Sequence, residues 1–172
     1  MKKITTAAAR RKLLARVELL VFDFDGVMTD NSVIVLEDGR EAAVCNRSDG
    51  LGIGMLRSAG LPMLVLSKER NPVVSARCKK LGLECRQGID DKAAVLSAIL
   101  DERGITPARA AYVGNDVNDL ACLALVGAPI AVADAYPPVL RAARLVTNRE
   151  GGRGAVREVC DWFLDARSVK LQ

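Results

Sequence analysis

Two carboxylates separated by one residue stand directly after an apolar run near the start of the chain. The run covers residues 19–22, and Asp23-Phe24-Asp25-Gly26 follows it. On an extended turn the two side chains can point to the same side, so that one is free to attack and the other can move a proton or hold a cation. A capped loop is the alternative explanation of the same four residues.

A serine and a lysine further along the chain could bind an anion. Ser67 follows the apolar run 63–66, and its hydroxyl and the N–H groups after it could hold a phosphate oxygen. Lys92 stands at the start of a predicted helix, where its ammonium could neutralise charge that develops on a nucleophile. Taken singly, Ser67 also fits an ordinary turn or helix cap, and Lys92 fits a surface lysine.

A third polar cluster, Gly114-Asn115-Asp116-Val117-Asn118-Asp119, follows the apolar run 111–113. Carboxylate and amide oxygens are hard donors that suit Mg²⁺, which keeps several waters and takes few protein ligands. A helix start with capping residues explains the cluster about equally well.

The order of the elements explains how these residues could meet. Buried strands are predicted wherever short apolar runs recur, at 19–22, 63–66, 111–113 and 130–132. Segments of helical period separate them, such as the helix that Asn71 caps, Pro72 opens and Gly82 ends. Right-handed crossovers would give an α/β, Rossmann-like three-layer sandwich, with a mostly parallel sheet, helices on both faces and ligands at the carboxyl edge of the strands.

One segment interrupts this alternation. Two strand-like runs, within residues 32–36 and 40–45, flank a turn that contains Asp38-Gly39. This pattern predicts a β-hairpin over about residues 32–45, inserted after the first strand.

Composition narrows the chemistry further. The chain has 172 residues and no histidine, which excludes Ser-His-Asp triads, Cys-His proteases and His-ligated zinc enzymes. Acid–base and metal chemistry must therefore use carboxylates, lysine and hydroxyls. The length fits one domain, 1–172.

Charge and hydropathy limit the partners. A net charge of +4 and only 3 Phe, 2 Tyr and 1 Trp give no nucleic-acid footprint. The longest uncharged stretch, residues 120–133, contains Gly127 and Pro129, so no membrane span is expected. Five cysteines without a C-x-x-C motif are typical of buried thiols in a reducing cytoplasm, where we expect the protein to reside.

From about Leu19 to Leu164 the sequence resembles the haloacid dehalogenase-like phosphatases. It is most similar to the small capless branch that includes 3-deoxy-D-manno-octulosonate-8-phosphate phosphatase and sialate-type 9-phosphate phosphatases, and also to the C-terminal domain of some CMP-sialic acid synthetases. The segments that carry the resemblance are FDFDGVMTDN (22–31), NRSDGLGI (46–53), LSKE (66–69), DDKAAVL (90–96), YVGNDVNDL (112–120), VADA (132–135) and GGRGAVREV (151–159).

The resemblance implies a reaction and a metal site. Asp23 would be the nucleophile that forms an aspartyl-phosphate, and Asp25 would protonate the leaving oxygen and then activate water. Mg²⁺ would bind to the Asp23 carboxylate, the Asp25 carbonyl, and Asn115 and Asp116. The family usually has G-D-D-x-x-D at the last of these sites, and Asn115 replaces its first aspartate, which removes one formal charge and puts metal affinity and turnover in question.

The resemblance also assigns roles to the remaining polar residues. Ser67 and Lys92 would hold the transferring phosphoryl group, and Asp119 would steady Lys92. Such a reaction depends on positioning and charge neutralisation rather than on an imidazole.

Four residues would read the sugar. Glu69, Arg77 and Lys80 look like the sugar-reading set of the sialate 9-phosphate branch, which favours a nonulosonate 9-phosphate over an octulosonate 8-phosphate. Arg77 and Lys80 are three residues apart and share a helix face, although a surface salt-bridge cluster explains them about as well. Arg153 in the Gly-Gly-Arg-Gly loop could reach a substrate carboxylate.

The chain has no room for a cap domain between the hairpin and Ser67. In the family that it resembles, the hairpin and the C-terminal segment pack against neighbouring subunits of a homotetramer and complete the site. The substitution at Asn115 also motivates an alternative function, a low-activity or non-catalytic oligomerisation module associated with a CMP-sialic acid synthetase.

Overall fold

The structure is a computed structural model that describes residues 3–169. Six strands form a parallel sheet in the order β5-β4-β1-β6-β7-β8. Their bounds are β1 Leu19–Phe22, β4 Met63–Leu66, β5 Glu84–Arg86, β6 Ala110–Gly114, β7 Ala128–Ala131 and β8 Leu145–Val146. The predicted α/β, Rossmann-like architecture with a parallel sheet is confirmed.

Seven α-helices of the described residues surround the sheet. They are α1 Ala7–Leu14, α2 Arg47–Ser58, α3 Pro72–Leu81, α4 Lys92–Glu102, α5 Leu120–Leu125, α6 Pro137–Ala142 and α7 Ala155–Ala166. In one group α1 and α2 pack on α7, and in another α5 packs on α4 and α6. No helix within residues 3–169 is long and apolar enough to cross a membrane.

Local signals set the ends of α3 as predicted. The Asn71 side chain accepts a hydrogen bond from the N–H of Val73, Pro72 occupies the first turn, and Gly82 ends the helix in the left-handed region at φ 65°. These caps direct the chain from the end of β4 back to the start of β5.

The four central strands lie within one or two residues of their predicted positions. Every residue of β1, β4, β6 and β7 is buried, as expected for a parallel sheet covered on both faces. Strand β7, predicted at 130–132, begins at Ala128 instead and includes Pro129.

The hairpin begins earlier than predicted and forms a sheet of its own. Strand β2 runs from Thr29 to Val35 and pairs antiparallel with β3, Glu41–Cys45. Its register shifts between Thr29 and Val33, which marks a β-bulge. The apolar run that follows Ser32 begins only near the end of this irregularity, and for that reason the sequence placed the hairpin start at residue 32.

The contact of α2 with α7 depends on a glycine. A Cβ at Gly52 would lie 2.7 Å from Cδ of Arg157 and 3.1 Å from Cβ of Cys160. A bare Cα at this position therefore lets the two helices approach closely.

Candidate active site

The three central strands end at one edge of the sheet, and the residues after them meet there. Strand β1 lies between β4 and β6, and all three run in the same direction. Asp23 follows β1, Ser67 follows β4 and Asn115 follows β6. All three side chains are buried, so the edge is a polar site set into the core.

Lys92 connects two carboxylates across this edge. It is the first residue of α4, its side chain is 2% exposed, and its Nζ lies 2.7 Å from Oδ1 of Asp23 and 3.0 Å from Oδ1 of Asp119. Burial lowers the pKa of Lys92, but the two carboxylates more than offset that effect, so the pKa is raised overall. The ammonium is therefore held in its charged form.

Asp119 holds Lys92 and the loop after β6 in place. Its Oδ1 accepts a hydrogen bond from the hydroxyl of Tyr112 at 2.7 Å, and its Oδ2 accepts one from the N–H of Asn115 at 3.0 Å. A Cβ at Gly114 would lie 2.5 Å from Oδ2 of Asp119, so the loop can close over the carboxylate only because residue 114 is glycine.

The environment of Asp23 acts on its ionisation in two directions. Burial raises the pKa of this carboxyl and the nearby Asp119 raises it further, whereas Lys92 and a hydrogen bond from the N–H of Phe24 lower it. Lys92 and Phe24 both contact Oδ1. Within residues 3–169, Oδ2 accepts no hydrogen bond and stays available to a ligand.

Asp25 lies beside Asp23 and is half-buried. Burial raises the pKa of its carboxyl, and the negative charge of Glu69 adds to this rise. A raised pKa suits a carboxyl group that donates a proton in one step and accepts one in the next.

A small cavity of about 80 Å³ opens over these groups. Its seven lining residues are Asp23, Asp25, Asn31, Lys68, Asn115, Asp116 and Asn118. The structure thus brings together all four predicted metal-site residues.

A larger cavity of about 530 Å³ lies next to the small one. Asp25, Asn31 and Lys68 line both, while Glu69 lines only the larger cavity. Oε1 of Glu69 accepts hydrogen bonds from the N–H groups of Arg70 and Asn71. The predicted sugar-reading carboxylate is therefore near the site and held rigidly.

Ser67 is fully buried at the end of β4. Its Oγ accepts a hydrogen bond from the N–H of Glu69 at 3.0 Å. Ser67 thus stabilises the turn after β4, as the alternative interpretation of this serine predicted. The hydroxyl proton is left to donate to an anion, although Ser67 is not among the residues that line the small cavity.

The donor atoms around Asn115 fit a hard cation. Oδ1 of Asn115 is buried and has no hydrogen-bond partner within the described part of the chain, although buried oxygens of this kind are nearly always paired. Asp23 and Asp116 add carboxylates to the same cavity. No group of three or more His, Cys, Asp or Glu side chains in residues 3–169 is arranged as a metal site, so a cation here would use mixed donors that include this amide.

The bare Cα of Gly26 makes room for the Asn115 amide. A Cβ at Gly26 would lie 1.9 Å from Nδ2 of Asn115, and the φ of Gly26 is +78°. Two separate requirements therefore favour glycine at the last position of the D-x-D-G motif, namely the close approach of the Asn115 amide and the positive φ.

Arg77 and Lys80 do not line the Asp23 cavity. They share a different cavity of about 640 Å³ with Cys45 and Arg47, and Arg77 Nη2 donates to the backbone oxygen of Asn46 at 3.0 Å. They are neighbours on α3 as predicted, but they line a different cavity from Asp23.

Arg153 is also away from the small cavity. Its Nη2 lies 3.3 Å from Oδ2 of Asp30, and its Nε lies 3.7 Å from Oε2 of Glu150. It lines a fourth cavity of about 500 Å³. Neither this arginine nor the α3 pair reaches Asp23 within one chain.

The sequence analysis missed three residues of the small cavity, namely Asn31, Lys68 and Asn118. Lys68 follows Ser67 directly, and Asn118 is inside the acidic loop that was singled out, so position alone could have suggested both. Asn31 ends the segment 22–31, but no local pattern marks it as a cavity residue; it lies where the register of β2 shifts.

Comparisons with known proteins agree with this geometry. The sequence profile of the haloacid dehalogenase-like hydrolases matches residues 83–158. The 3-deoxy-D-manno-octulosonate 8-phosphate phosphatase of Salmonella typhi is 37% identical over 152 residues, which cover 88% of this chain and 81% of the relative.

Solved structures share the whole fold. A protein from Streptomyces avermitilis assigned to the HAD family of hydrolases is 50% identical, with a TM-score of 0.86 over 90% of each chain. The 3-deoxy-D-manno-octulosonate 8-phosphate phosphatase of Moraxella catarrhalis, solved with a magnesium ion, a phosphate ion and KDO, is 30% identical, with a TM-score of 0.89 over 92% of this chain and 91% of that one. On its sequence, its fold and these relatives, the chain belongs to the haloacid dehalogenase-like hydrolases.

Proposed function

We propose that the protein is a Mg²⁺-dependent phosphatase that hydrolyses a phosphomonoester of an acidic sugar through an aspartyl-phosphate on Asp23. The observation that carries this proposal is a buried Asp23 whose Oδ1 is held by Lys92 while its Oδ2 is left without a hydrogen bond in the described residues. The related enzyme from Moraxella catarrhalis, solved with magnesium, phosphate and KDO, supports it.

In the first step Oδ2 of Asp23 attacks phosphorus, and the bond from phosphorus to the sugar oxygen breaks. Asp25 transfers its proton to that oxygen, so that the sugar leaves as an alcohol. Lys92 balances charge beside Asp23, and the Ser67 hydroxyl donates to the transferring group. A bound Mg²⁺, held by Asp23, Asp25, Asn115 and Asp116, would neutralise charge on the phosphoryl oxygens.

In the second step Asp25, now ionised, takes a proton from water, which attacks the aspartyl-phosphate. Inorganic phosphate leaves and the Asp23 carboxylate is restored. The raised pKa of Asp25 lets one group serve both steps.

The direct test is a phosphatase screen over sugar phosphates with and without Mg²⁺. We expect Mg²⁺-dependent release of phosphate, its loss in Asp23→Asn, and its loss in Asp25→Asn with substrates whose leaving group needs a proton. An Asp23→Asn variant as fast as the parent would refute the proposed nucleophile.

Two acidic sugars compete as substrate. The curated relatives are named for 3-deoxy-D-manno-octulosonate 8-phosphate, whereas the position of Glu69 next to Asp25 in the larger cavity is our reason to favour a nonulosonate 9-phosphate. The ratio of kcat/KM for the two sugars, measured in the parent and in Glu69→Gln, separates them. A nonulosonate enzyme should lose its preference in the variant.

We further propose that the working form is a homotetramer in which neighbouring chains supply Arg77, Lys80 and Arg153 to the site. The apolar side chains of the hairpin support this, since they are 42–64% exposed in the single chain, namely Val33, Ile34, Val35, Leu36 and Val44. Light scattering should give a tetramer, and Val33→Asp with Val35→Asp should dissociate it. A monomeric parent would overturn this part of the proposal.

The alternative function, a weakly active oligomerisation module for a CMP-sialic acid synthetase, is motivated by Asn115. Replacing it by aspartate restores the usual charge of the metal loop. A large gain in Mg²⁺-dependent turnover in Asn115→Asp would indicate a catalytic site that the amide weakens. An inactive parent that gains nothing would indicate a different role and favour the alternative, whereas a fully active parent would rule the alternative out.

A further inference from the structure

Three residues line both the small cavity and the larger one, namely Asp25, Asn31 and Lys68. The small cavity of about 80 Å³ has the space that about three water molecules take up in the liquid, enough for a phosphoryl group and not for a sugar. The larger cavity of about 530 Å³ has room for the sugar. If Asp25 protonates the leaving oxygen, as proposed above, the bond that breaks lies at this junction, between Asn31 and Lys68.

Lys68 is the positively charged residue that is available to bind a substrate at the junction of the two cavities. Lys92 is buried and already contacts two carboxylates, and Arg70 is paired with Asp90 at 3.6 Å. Lys68 is exposed, and no ion pair joins it to the described part of the chain. Because the other charged residues of the small cavity are the carboxylates Asp23, Asp25 and Asp116, Lys68 is the lining residue whose positive charge can attract an incoming phosphate dianion.

Asn31 places its side chain at the junction from a left-handed backbone conformation, which few residues other than glycine and asparagine adopt. Its φ is 65°, in the left-handed region where glycine is favoured. Its N–H donates to Thr29 Oγ1 at 3.2 Å, but its amide side chain forms no hydrogen bond within residues 3–169. Bulges beside active sites commonly re-aim one side chain, and strained backbone collects at such sites.

We propose that Lys68 and Asn31 are substrate-binding residues on the two sides of the scissile bond. Lys68 holds a peripheral oxygen of the phosphoryl group, and Asn31 binds a hydroxyl of the sugar. This inference rests on the proposed phosphatase function and adds to it the residues that recognise the two halves of the substrate.

The first test compares Lys68→Gln with Lys79→Gln, a matched change of an exposed lysine on α3. Loss of a charge-assisted hydrogen bond should lower kcat/KM about 10- to 100-fold in Lys68→Gln, mainly through KM. The loss should be the same for p-nitrophenyl phosphate and for a sugar phosphate, since both carry the phosphoryl group. Calorimetric titration with inorganic phosphate should show the same weakening.

The second test uses the conformation of Asn31. Glycine fits a φ of 65° without strain, so Asn31→Gly should unfold at the same temperature as the parent or a higher one. Ser168 is the matched control, because it too has a positive φ, 55°, and is at the end of α7. Only Asn31→Gly should lose kcat/KM, about fivefold, and only with the sugar phosphate, because p-nitrophenyl phosphate has no hydroxyl to bind.

The outcomes separate the two proposals. A parent protein that hydrolyses neither substrate refutes the phosphatase function and this inference with it. An active parent in which Lys68→Gln equals Lys79→Gln, or in which Asn31→Gly equals Ser168→Gly on the sugar phosphate, refutes the inference alone.

Discussion

Removal of the Lys92 ammonium should destabilise the fold as well as stop turnover. In Lys92→Met the side chain keeps its length and loses its charge, which leaves Asp23 and Asp119 facing each other without the cation that lies 2.7 Å and 3.0 Å from them. Breaking a buried ion pair by removing one partner typically costs about 3–5 kcal/mol. We expect a loss of this size in the free energy of unfolding.

A second change should restore most of that stability. Asp119→Asn removes one of the two carboxylates left without a cation, and with it their mutual repulsion, while the new amide can still accept from the N–H of Asn115 and can donate to the hydroxyl of Tyr112. The double variant should therefore be more stable than Lys92→Met by about 2 kcal/mol. Its turnover should stay as low as that of the single variant, because the phosphoryl group has lost its lysine.

Urea unfolding followed by circular dichroism, in metal-free buffer and at one protein concentration, measures these differences. Metal must be absent because a divalent cation would replace the missing charge. Lys79→Met, an exposed control on α3, should change stability by no more than about 0.5 kcal/mol. The reasoning is refuted if Lys92→Met loses no more stability than this control, or if the double variant is less stable than the single one. In either case the buried ion pairs of Lys92 with Asp23 and Asp119 do not stabilise this edge of the sheet.

Two further predictions concern the metal loop and a buried carboxyl. Gly26→Ala should weaken Mg²⁺ binding in calorimetry by displacing the Asn115 amide, which the new Cβ would approach to 1.9 Å. Gly39 has a similar φ of +82°, and a Cβ there would meet no atom within 4 Å, so Gly39→Ala should leave Mg²⁺ binding unchanged. Equal effects of the two substitutions would contradict the steric reasoning. Asp49 is buried, its Oδ1 accepts from the N–H of Arg157 and burial raises its pKa to about 6. Since the folded state then holds a proton that the unfolded state releases near pH 4, the contribution of Asp49 to stability is fully present below pH 4 and is lost as pH rises to about 6, by at most about 3 kcal/mol. Asp49→Asn should lack this part of the pH dependence in urea unfolding, and parallel curves for parent and variant between pH 4 and 6.5 would contradict it.

Features that arise within a few neighbouring residues could be predicted from the sequence. Apolar runs located β1, β4, β6 and β7, because strands buried on both faces need continuous hydrophobic residues. Asn71 and Gly82 marked the ends of α3 through their own hydrogen bonds and backbone freedom. Since parallel strands end at a common edge, the residues after them had to meet, and Asp23, Asp25, Asn115 and Asp116 do line one cavity.

Features that depend on distant neighbours could not be predicted in this way. Strands β5 and β8 have only three and two residues, and their pairing partners, rather than their own pattern, make them strands. The helical period predicted that Arg77 and Lys80 are neighbours, but it could not predict which cavity the two side chains would line.

The sequence by itself determined the fold class, the central strands and the set of carboxylates that can do chemistry. The tertiary structure alone decided that Asn31 and Lys68 belong to the site and that Arg153 lies outside it within one chain. The physical reason is that periodicity and caps act over a few residues of chain, whereas a bulge, a cavity wall and a buried charge are defined by atoms that are far apart in the sequence and close in space.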